Sequence, residues 1–306
     1  MKYIGIDVAK DTLEVFIPEK GNFEVTNNRK GFLKLIKNLQ VGDIIGVEST
    51  SNYHHAIAKF LIQKGFEVKE LNPILTKQFI KATIRKKKTD KTDAQIINRL
   101  LAQGEGHSMS EIQLGNSLKK LFRIKKKLIQ TRTSLKIQLK SLETAVVSVT
   151  IAKKSFQKLI TSFDKEITKI EAEIIKTKNK QTEILESIPG ISAQLARGIL
   201  SEIGDVKRFN NKRKLVAFAG YDPKLLQSGT CMYRTSKLIK RGSPYLRYAL
   251  HIAAFANINR QNIFSNYYQK KREEGKHFIQ AMVATARKIL EIIFTLLWKE
   301  EKFQKV

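Results

Sequence analysis

The feature that most constrains the fold is a long segment without helix-breaking residues. Between Ser117 and Thr182 the chain has neither proline nor glycine, and apolar residues recur there at alternating spacings of four and three. This heptad repeat is typical of a coiled coil. The β-branched run "VVSVTIA" at 146–152 is a candidate break, so the pattern allows either a hairpin or one bent helix. The repeat includes Leu121, Leu128, Leu135, Leu142, Val149, Phe156, Ile160, Phe163, Ile167, Ile170 and Ile174.

The same segment is strongly basic. Residues 117–182 contain 17 basic and 5 acidic residues, a net of +12, within a chain whose formal net charge is +29. Such an excess indicates an anionic partner, and nucleic acid fits better than an acidic membrane surface. Lys125, Lys126 and Lys127 are candidate backbone contacts, although a purely structural linker is the alternative.

Two further regions flank this segment. Residues 1–110 contain five short apolar runs with the period of β-strands, "YIGIDVA", "TLEVFIP", "NFEVTN", "IIGVES" and "FEVKEL", and helical patterns lie between the later ones. This order predicts an α/β sheet with mixed pairing. Residues 183–306 are predicted to be mainly helical. We therefore expect three domains: 1–110, 111–182 and 183–306.

The third region opens with "ESIPGI", in which a turn separates two helical patterns. Gly190 permits a tight turn, so amide groups at the next helix could meet a phosphate, as in a helix–hairpin–helix; an ordinary helical hairpin is the alternative.

A single cysteine, Cys231, no apolar run of membrane-spanning length and an N-terminal strand pattern predict a cytoplasmic protein without membrane contact.

Four carboxylates form the candidate catalytic set. Asp7 and Glu48 each end an apolar strand, where a buried unpaired carboxylate would be costly. Asp90 and Asp93, in "KKKTDKTDA", are one helical turn apart and can share a face, although a solvated helix start is the alternative for these two. Gathered carboxylates repel one another unless a cation compensates them, and oxygen ligands select Mg²⁺ or Mn²⁺. Two such ions about 4 Å apart would suit phosphoryl displacement.

In this order, the four acids resemble the DEDD set of the transposases of the insertion sequence 110 family. Its first domain is similar to the Holliday-junction resolvase RuvC, which has a ribonuclease-H-like fold. The resemblance covers both ends of the chain and the domain order. Its motifs are "YIGIDVAK", "VESTSNY", "LNPILTKQF", "KTDKTDA", "ESIPGI", "FAG" followed by "DPKLLQSG", and "KRGSPYLRYAL".

The resemblance implies a serine nucleophile. The matching residue is Ser228, five positions after Pro223 and just before Gly229. The family pattern implies that this hydroxyl attacks a DNA phosphate and forms a serine ester, while the DEDD carboxylates hold Mg²⁺. One departure is Ile239, where many relatives have serine or threonine. Candidate phosphate contacts near this motif are Lys237, Lys240, Arg241 and Arg247, for which a solvated surface is the alternative.

The family also implies partners. These are donor and target double-stranded DNA, a structured noncoding guide (bridge) RNA, and further copies of the chain, with a dimer through the coiled coil assembling to a tetramer. The protein would then be nucleoid-associated in a prokaryotic cytoplasm. Two other functions remain open: a RuvC-like junction nuclease in which metal-bound water attacks, and a non-enzymatic architectural protein that binds junctions.

Overall fold

The computed structural model describes residues 1–49, 53–82, 90–109, 117–144, 149–228, 231–238 and 242–304. Within these ranges, the side chains of residues 81–82, 90, 223–228 and 231–238 are not described. The chain divides into two compact units, Met1–Asn116 and Ser117–Val306. The division into three domains stays a prediction.

The first unit contains a six-stranded sheet with the order β3-β2-β1-β4-β5-β6. Strands β1, β4 and β5 are parallel, whereas the β1–β2, β2–β3 and β5–β6 pairs are antiparallel. The predicted mixed sheet is confirmed, as are its five strands. The sixth strand, of only two residues, was not predicted. The strands are β1 Tyr3–Val8, β2 Thr12–Ile17, β3 Gly21–Thr26, β4 Ile44–Glu48, β5 Glu67–Leu71 and β6 His107–Ser108.

Helices cover both faces of this sheet. They are α1 Arg29–Ile36, α2 His54–Gln63, α3 Pro73–Ala82 and α4 Asp90–Ala102. Helices α1 and α2 bury their apolar side chains against one face, where alternate residues of β1, β2 and β4 form the larger core cluster. Helix α4 packs on the other face with Ile44 and Leu71. Because successive side chains of a β-strand point to opposite faces of the sheet, neighbouring residues of β1 face different helices.

Two glycines let α4 approach the sheet closely. Gly5 and Gly46 are partners in the β1–β4 pairing. A Cβ atom added at Gly5 would lie 2.0 Å from the Ala94 carbonyl oxygen, which is a backbone atom. One added at Gly46 would lie 2.5 Å from a terminal carbon of Leu101. The pair therefore forms the flat surface on which α4 rests.

This geometry predicts unequal effects of two alanine substitutions. We expect Gly5→Ala to lower the free energy of unfolding by about 2–3 kcal/mol, because the new methyl group meets backbone that cannot move alone. Gly46→Ala should cost less, about 1 kcal/mol, because the added carbon meets only side-chain atoms of Leu101 and Ile97, which can shift more readily than backbone. Urea unfolding followed by circular dichroism measures both. Equal losses would contradict this account of the α4 contact.

The second unit begins with two long helices, α5 Ser117–Glu143 and α6 Thr150–Ile175. They pack side by side and antiparallel. Lys125 pairs with Glu171, and farther along α5 Arg132 pairs with Asp164, so residue numbers rise on one helix as they fall on the other. The segment is thus a hairpin rather than one bent helix. Coiled-coil geometry stays a prediction, and residues 145–148 of the predicted break lie outside the described residues.

The remainder of the second unit is mainly helical, as predicted. Its helices are α7 Lys180–Glu186, α8 Ala193–Ile203, α9 Lys212–Ala219, α10 Pro244–Phe255, α11 Ile263–Glu273 and α12 Phe278–Lys299. They enclose one apolar core, to which Phe122 of α5 contributes. A two-stranded hairpin, β7 Pro223–Ser228 and β8 Cys231–Leu238, was not predicted.

The turn before α8 has a packing reason for its glycine. Gly190 has φ +79°, and an added Cβ would lie 2.2 Å from the side-chain nitrogen of Asn257 and 2.7 Å from the Ala253 carbonyl oxygen. That same Asn257 nitrogen donates to the Pro189 carbonyl at 2.8 Å. Close contact with α10 therefore accounts for the glycine, while a phosphate-binding helix–hairpin–helix stays a prediction.

Candidate active site

The ends of β1 and β4 place two acids side by side. Ile6 pairs with Val47, so Asp7 and Glu48 are the next residues along these parallel strands. Each acid lies two positions after a glycine that faces α4, and side chains two apart share a face of a sheet. Asp7 and Glu48 therefore lie at one edge of the sheet and on its α4 face.

The first turn of α4 lies over the same edge. Asn98 donates to the Tyr3 carbonyl, and Ala94 lies over Gly5, so α4 is antiparallel to β1. The N-terminal end of α4 is therefore nearest to Asp7. Asp93, which directly precedes Ala94, has one carboxylate oxygen buried. Asp90 is the first residue of α4, but its side chain is not described.

A buried threonine orients Glu48. The hydroxyl of Thr76, on α3, donates to a Glu48 carboxylate oxygen at 2.8 Å. Thr76 is 4% exposed and Glu48 is half-buried, so the donor of this bond is buried. Sequence analysis did not single out Thr76. The only signal was its place in "LNPILTKQF", one of the motifs that carried the family resemblance.

An asparagine network joins α4 to the antiparallel strands. Asn22 of β3 donates to Glu14 at 3.1 Å and to the Lys91 carbonyl at 3.0 Å, and it accepts from Gln95 at 2.8 Å. Glu14 is opposite Asp7 in the β1–β2 pairing. The network therefore fixes the first turn of α4 above the strands beside Asp7. Sequence analysis missed it because its contacts connect residues up to 73 positions apart.

The donor chemistry of this edge suits a hard divalent cation, since carboxylate oxygens are the ligands that Mg²⁺ and Mn²⁺ prefer. Among the residues that the structure describes, no group of three or more His, Cys, Asp or Glu could hold a metal ion. Asp90 lies outside that test because its side chain is not described. Metal binding by the four predicted acids therefore stays a prediction.

The predicted nucleophile lies in the second unit. Ser228 is the last residue of β7 and pairs with Cys231 of β8. Its side chain and that of Lys237, on β8, are not described, and Lys240 and Arg241 lie outside the described residues. The predicted roles of these four residues stay predictions.

Arg247, on α10, has structural partners at the end of α9 and just before α10. Its guanidinium donates to the carbonyls of Ala219 and Gly242, each at 2.9 Å. Burial lowers the pKa of Arg247. These contacts hold the end of α9 and the start of α10 together. A phosphate contact by Arg247 stays a prediction.

The three consecutive lysines of α5 differ in their surroundings. Lys125 lies 2.8 Å from a Glu171 carboxylate oxygen. Lys126 lies over the rings of Tyr245 and Tyr248, 4.8 and 4.7 Å from their centroids, and burial lowers its pKa. Lys127 is exposed. Two of the three lysines that were predicted to contact nucleic acid therefore interact with side chains of their own unit.

A buried glutamate links α5 to α8 and α10. Glu202 of α8 accepts from Arg123 of α5 at 2.6 and 2.9 Å, and from Ser243 at 2.9 Å. Ser243 in turn caps α10. The hydrogen bond with Glu202 raises the pKa of Arg123. The bidentate pair therefore attaches the helical hairpin to the rest of the unit.

Breaking this pair should destabilise the second unit. We expect Glu202→Ala to lower the free energy of unfolding by about 2–4 kcal/mol, because Arg123 and Ser243 both lose their acceptor; partial exposure of Arg123 keeps the loss below that of a fully buried pair. The matched control is Glu166→Ala, whose exposed pair with Lys169 should contribute less than about 1 kcal/mol. Equal midpoints of chemical unfolding for the two variants would contradict the assigned role of Glu202.

Sequence comparisons cover most of the chain. Residues 4–146 match a family model described as "Transposase", and residues 182–269 match one described as "Transposase IS116/IS110/IS902 family". The chain is 28% identical to the pilin gene-inverting protein of Moraxella bovis, over 99% of this chain and 98% of that protein. It is 24% identical to the transposase for insertion sequence element IS1111A of Coxiella burnetii, over 99% of this chain and 92% of that protein.

An α/β sheet with acids at one edge, a mainly helical second unit and these matches define a transposase. The chain belongs to the IS110 family of insertion-sequence transposases, as its motifs predicted. In the described part of the chain, no helix is both long enough and apolar enough to span a membrane.

Proposed function

We propose that this transposase moves an insertion sequence by cleaving and rejoining DNA strands through a covalent serine intermediate. The observation that carries the proposal is the placement of Asp7 and Glu48 at one edge and on one face of the sheet, under the first turn of α4. Two carboxylates brought together at the ends of apolar strands repel each other, and a bound cation would compensate their charge.

In this proposal, Asp7, Glu48, Asp90 and Asp93 hold Mg²⁺ or Mn²⁺. When bound, such an ion polarises the oxygens of the scissile phosphate. Thr76 fixes the rotamer of Glu48 through its hydrogen bond. The carboxylates act as ligands.

The proposed nucleophile is the hydroxyl of Ser228. Its oxygen forms a bond to the phosphorus while the bond from phosphorus to the 3′ oxygen breaks. Ser228 loses a proton, the departing oxygen gains one, and a 5′-phosphoserine and a free 3′-hydroxyl result. A 3′-hydroxyl can then attack the phosphoserine, which rejoins strands and releases the serine. Because one phosphodiester replaces another, no nucleotide cofactor is needed.

The proposed partners are donor and target double-stranded DNA together with a structured noncoding guide RNA. A formal net charge of +29 supports contact with long polyanions. Base pairing by the guide would supply the sequence choice, which leaves backbone contacts to the protein. We place this activity at the nucleoid, in the cytoplasm, where the DNA substrate lies.

Self-association completes the proposal. Heptad residues of the hairpin remain only half-buried when α5 and α6 pack together, among them Leu128, Leu135 and Phe163. Ile137 is 66% exposed. These apolar side chains support pairing of two hairpins into a dimer, and two dimers would supply the several active sites that strand exchange needs.

Whole-length similarity to a pilin gene-inverting protein favours strand exchange over simple cleavage, since inversion requires that cut ends be rejoined. The test is a reaction of purified protein with DNA carrying the element ends, target DNA and the transcribed flanking noncoding RNA. Rejoined products support the proposal. Hydrolysed free ends would indicate the nuclease, and binding without cleavage the architectural protein.

A further inference from the structure

The outer face of α6 carries a row of lysines. The members are Lys154, Lys158, Lys165 and Lys169 within the helix and Lys176 at its C-cap, so the spacings are four, seven, four and seven. With 3.6 residues per turn, these spacings keep all five within a sector of about 60° along about 33 Å of helix. We call this row the α6 lysine stripe.

The stripe faces solvent. All five lysines are exposed. The apolar residues of α6 that face α5, such as Phe156, Phe163 and the buried Ile167, lie about half a turn round the helix from the stripe. The stripe therefore contributes nothing to the contact between α5 and α6.

Little compensates the charge of the stripe within the unit. Lys169 pairs with Glu166 and Lys176 with Glu173, each at 2.6 Å, and these exposed pairs one turn apart are weak. In the described part of the chain, no ion pair is seen for Lys154, Lys158 or Lys165. The half of the stripe farther from the helical core therefore presents three uncompensated positive charges.

We infer that the α6 lysine stripe docks along the phosphate backbone of a nucleic-acid duplex. Its length matches one helical turn of a duplex, about 34 Å, and regularly spaced ammonium groups suit a regular row of phosphates. The residues that share or border the sector, such as Ile151, Thr161 and Ala172, have no aromatic ring, so the stripe has no platform on which unpaired bases could stack. A duplex therefore fits better than a single strand.

This inference rests on the proposed function and locates its nucleic-acid surface on α6. The sequence pointed instead to Lys125, Lys126 and Lys127 on α5. In the structure Lys125 pairs with Glu171 and Lys126 covers two tyrosine rings, which leaves Lys127 exposed, whereas all five lysines of the stripe extend into solvent.

The experiment compares two triple variants of the full-length protein with equal charge change. The stripe variant is Lys154→Gln, Lys158→Gln and Lys165→Gln. The control variant replaces the exposed Lys120, Lys136 and Lys140 of α5 by glutamine. Glutamine retains helix propensity, and circular dichroism checks that both variants are folded. The probes are mixed-sequence DNA and RNA duplexes of about 20 base pairs, roughly twice the length of the stripe.

The quantity measured is the slope of log affinity against log salt concentration. Each lost phosphate contact lowers the magnitude of this slope by about 0.9. The magnitude should therefore fall by about 2–3 for the stripe variant and by less than about 1 for the control variant. A change with only one of the two duplexes identifies whether DNA or RNA occupies the stripe. An unchanged slope for the stripe variant, or equal changes for both variants, would overturn the inference. If the wild type still recombines DNA in that case, the proposed function stands and only this surface is wrong.

Discussion

Replacing Asp93 by asparagine is expected to reduce DNA cleavage by at least about 10²–10³-fold while leaving the protein folded. Asparagine preserves the shape of the side chain but removes the negative charge that would bind a divalent cation beside Asp7. The substitution occurs in the first turn of α4, where loss of a partly buried acid costs at most about 2 kcal/mol of stability. Cleavage of labelled substrate DNA and the urea midpoint measure the two effects separately.

The matched control is Glu24→Gln, an exposed acid of β3 in the same sheet, which should retain wild-type activity. Chelation of divalent cations should reproduce the defect of Asp93→Asn in the wild type, and added Mg²⁺ or Mn²⁺ should restore only the wild type. Full cleavage by Asp93→Asn, or full cleavage by the wild type after chelation, would exclude the proposed metal site.

The acidic edge could be predicted because it depends on local pattern and general topology. Alternating apolar residues identify β1 and β4, and acids that end parallel neighbours must share an edge. What supports these acids could not be predicted. The bond from Thr76 to Glu48 and the Asn22 network arise from packing of distant segments, and a threonine or asparagine in isolation gives no sign of such a partner.

The second unit shows the same limit. Heptad spacing identified both long helices, but a repeat cannot say whether Lys125 reaches a nucleic acid or Glu171 of the neighbouring helix. The β7–β8 hairpin went unpredicted because its strands, "PKLLQS" and "CMYRTSKL", lack a clear alternation of apolar and polar residues and border a segment with strong helical patterns. Sequence periodicity therefore located the helices of this unit, whereas the partner of each charged side chain depends on which helices lie side by side.

Replacing Ser228 by alanine is expected to abolish strand exchange and every covalent protein–DNA product. A nicked substrate whose cut end can diffuse away should trap the wild type as a 5′-phosphoserine adduct, visible as a DNA-dependent shift in a denaturing gel. Ser228→Ala lacks the attacking oxygen, so the adduct should disappear. Binding of DNA should persist, because one hydroxyl contributes little to a highly charged interface.

Two further variants make this result specific. Ser236→Ala removes a serine from β8 of the same hairpin and should retain the adduct. Ser228→Cys should retain weak cleavage, since a thiolate is a competent nucleophile, and its adduct should be a phosphothioester. If Ser228→Ala still cut DNA at the wild-type position, water would be the attacking group. The carboxylate edge of the first unit would then suffice for hydrolysis, and the protein would act as a nuclease that releases its ends instead of a recombinase that holds them for rejoining.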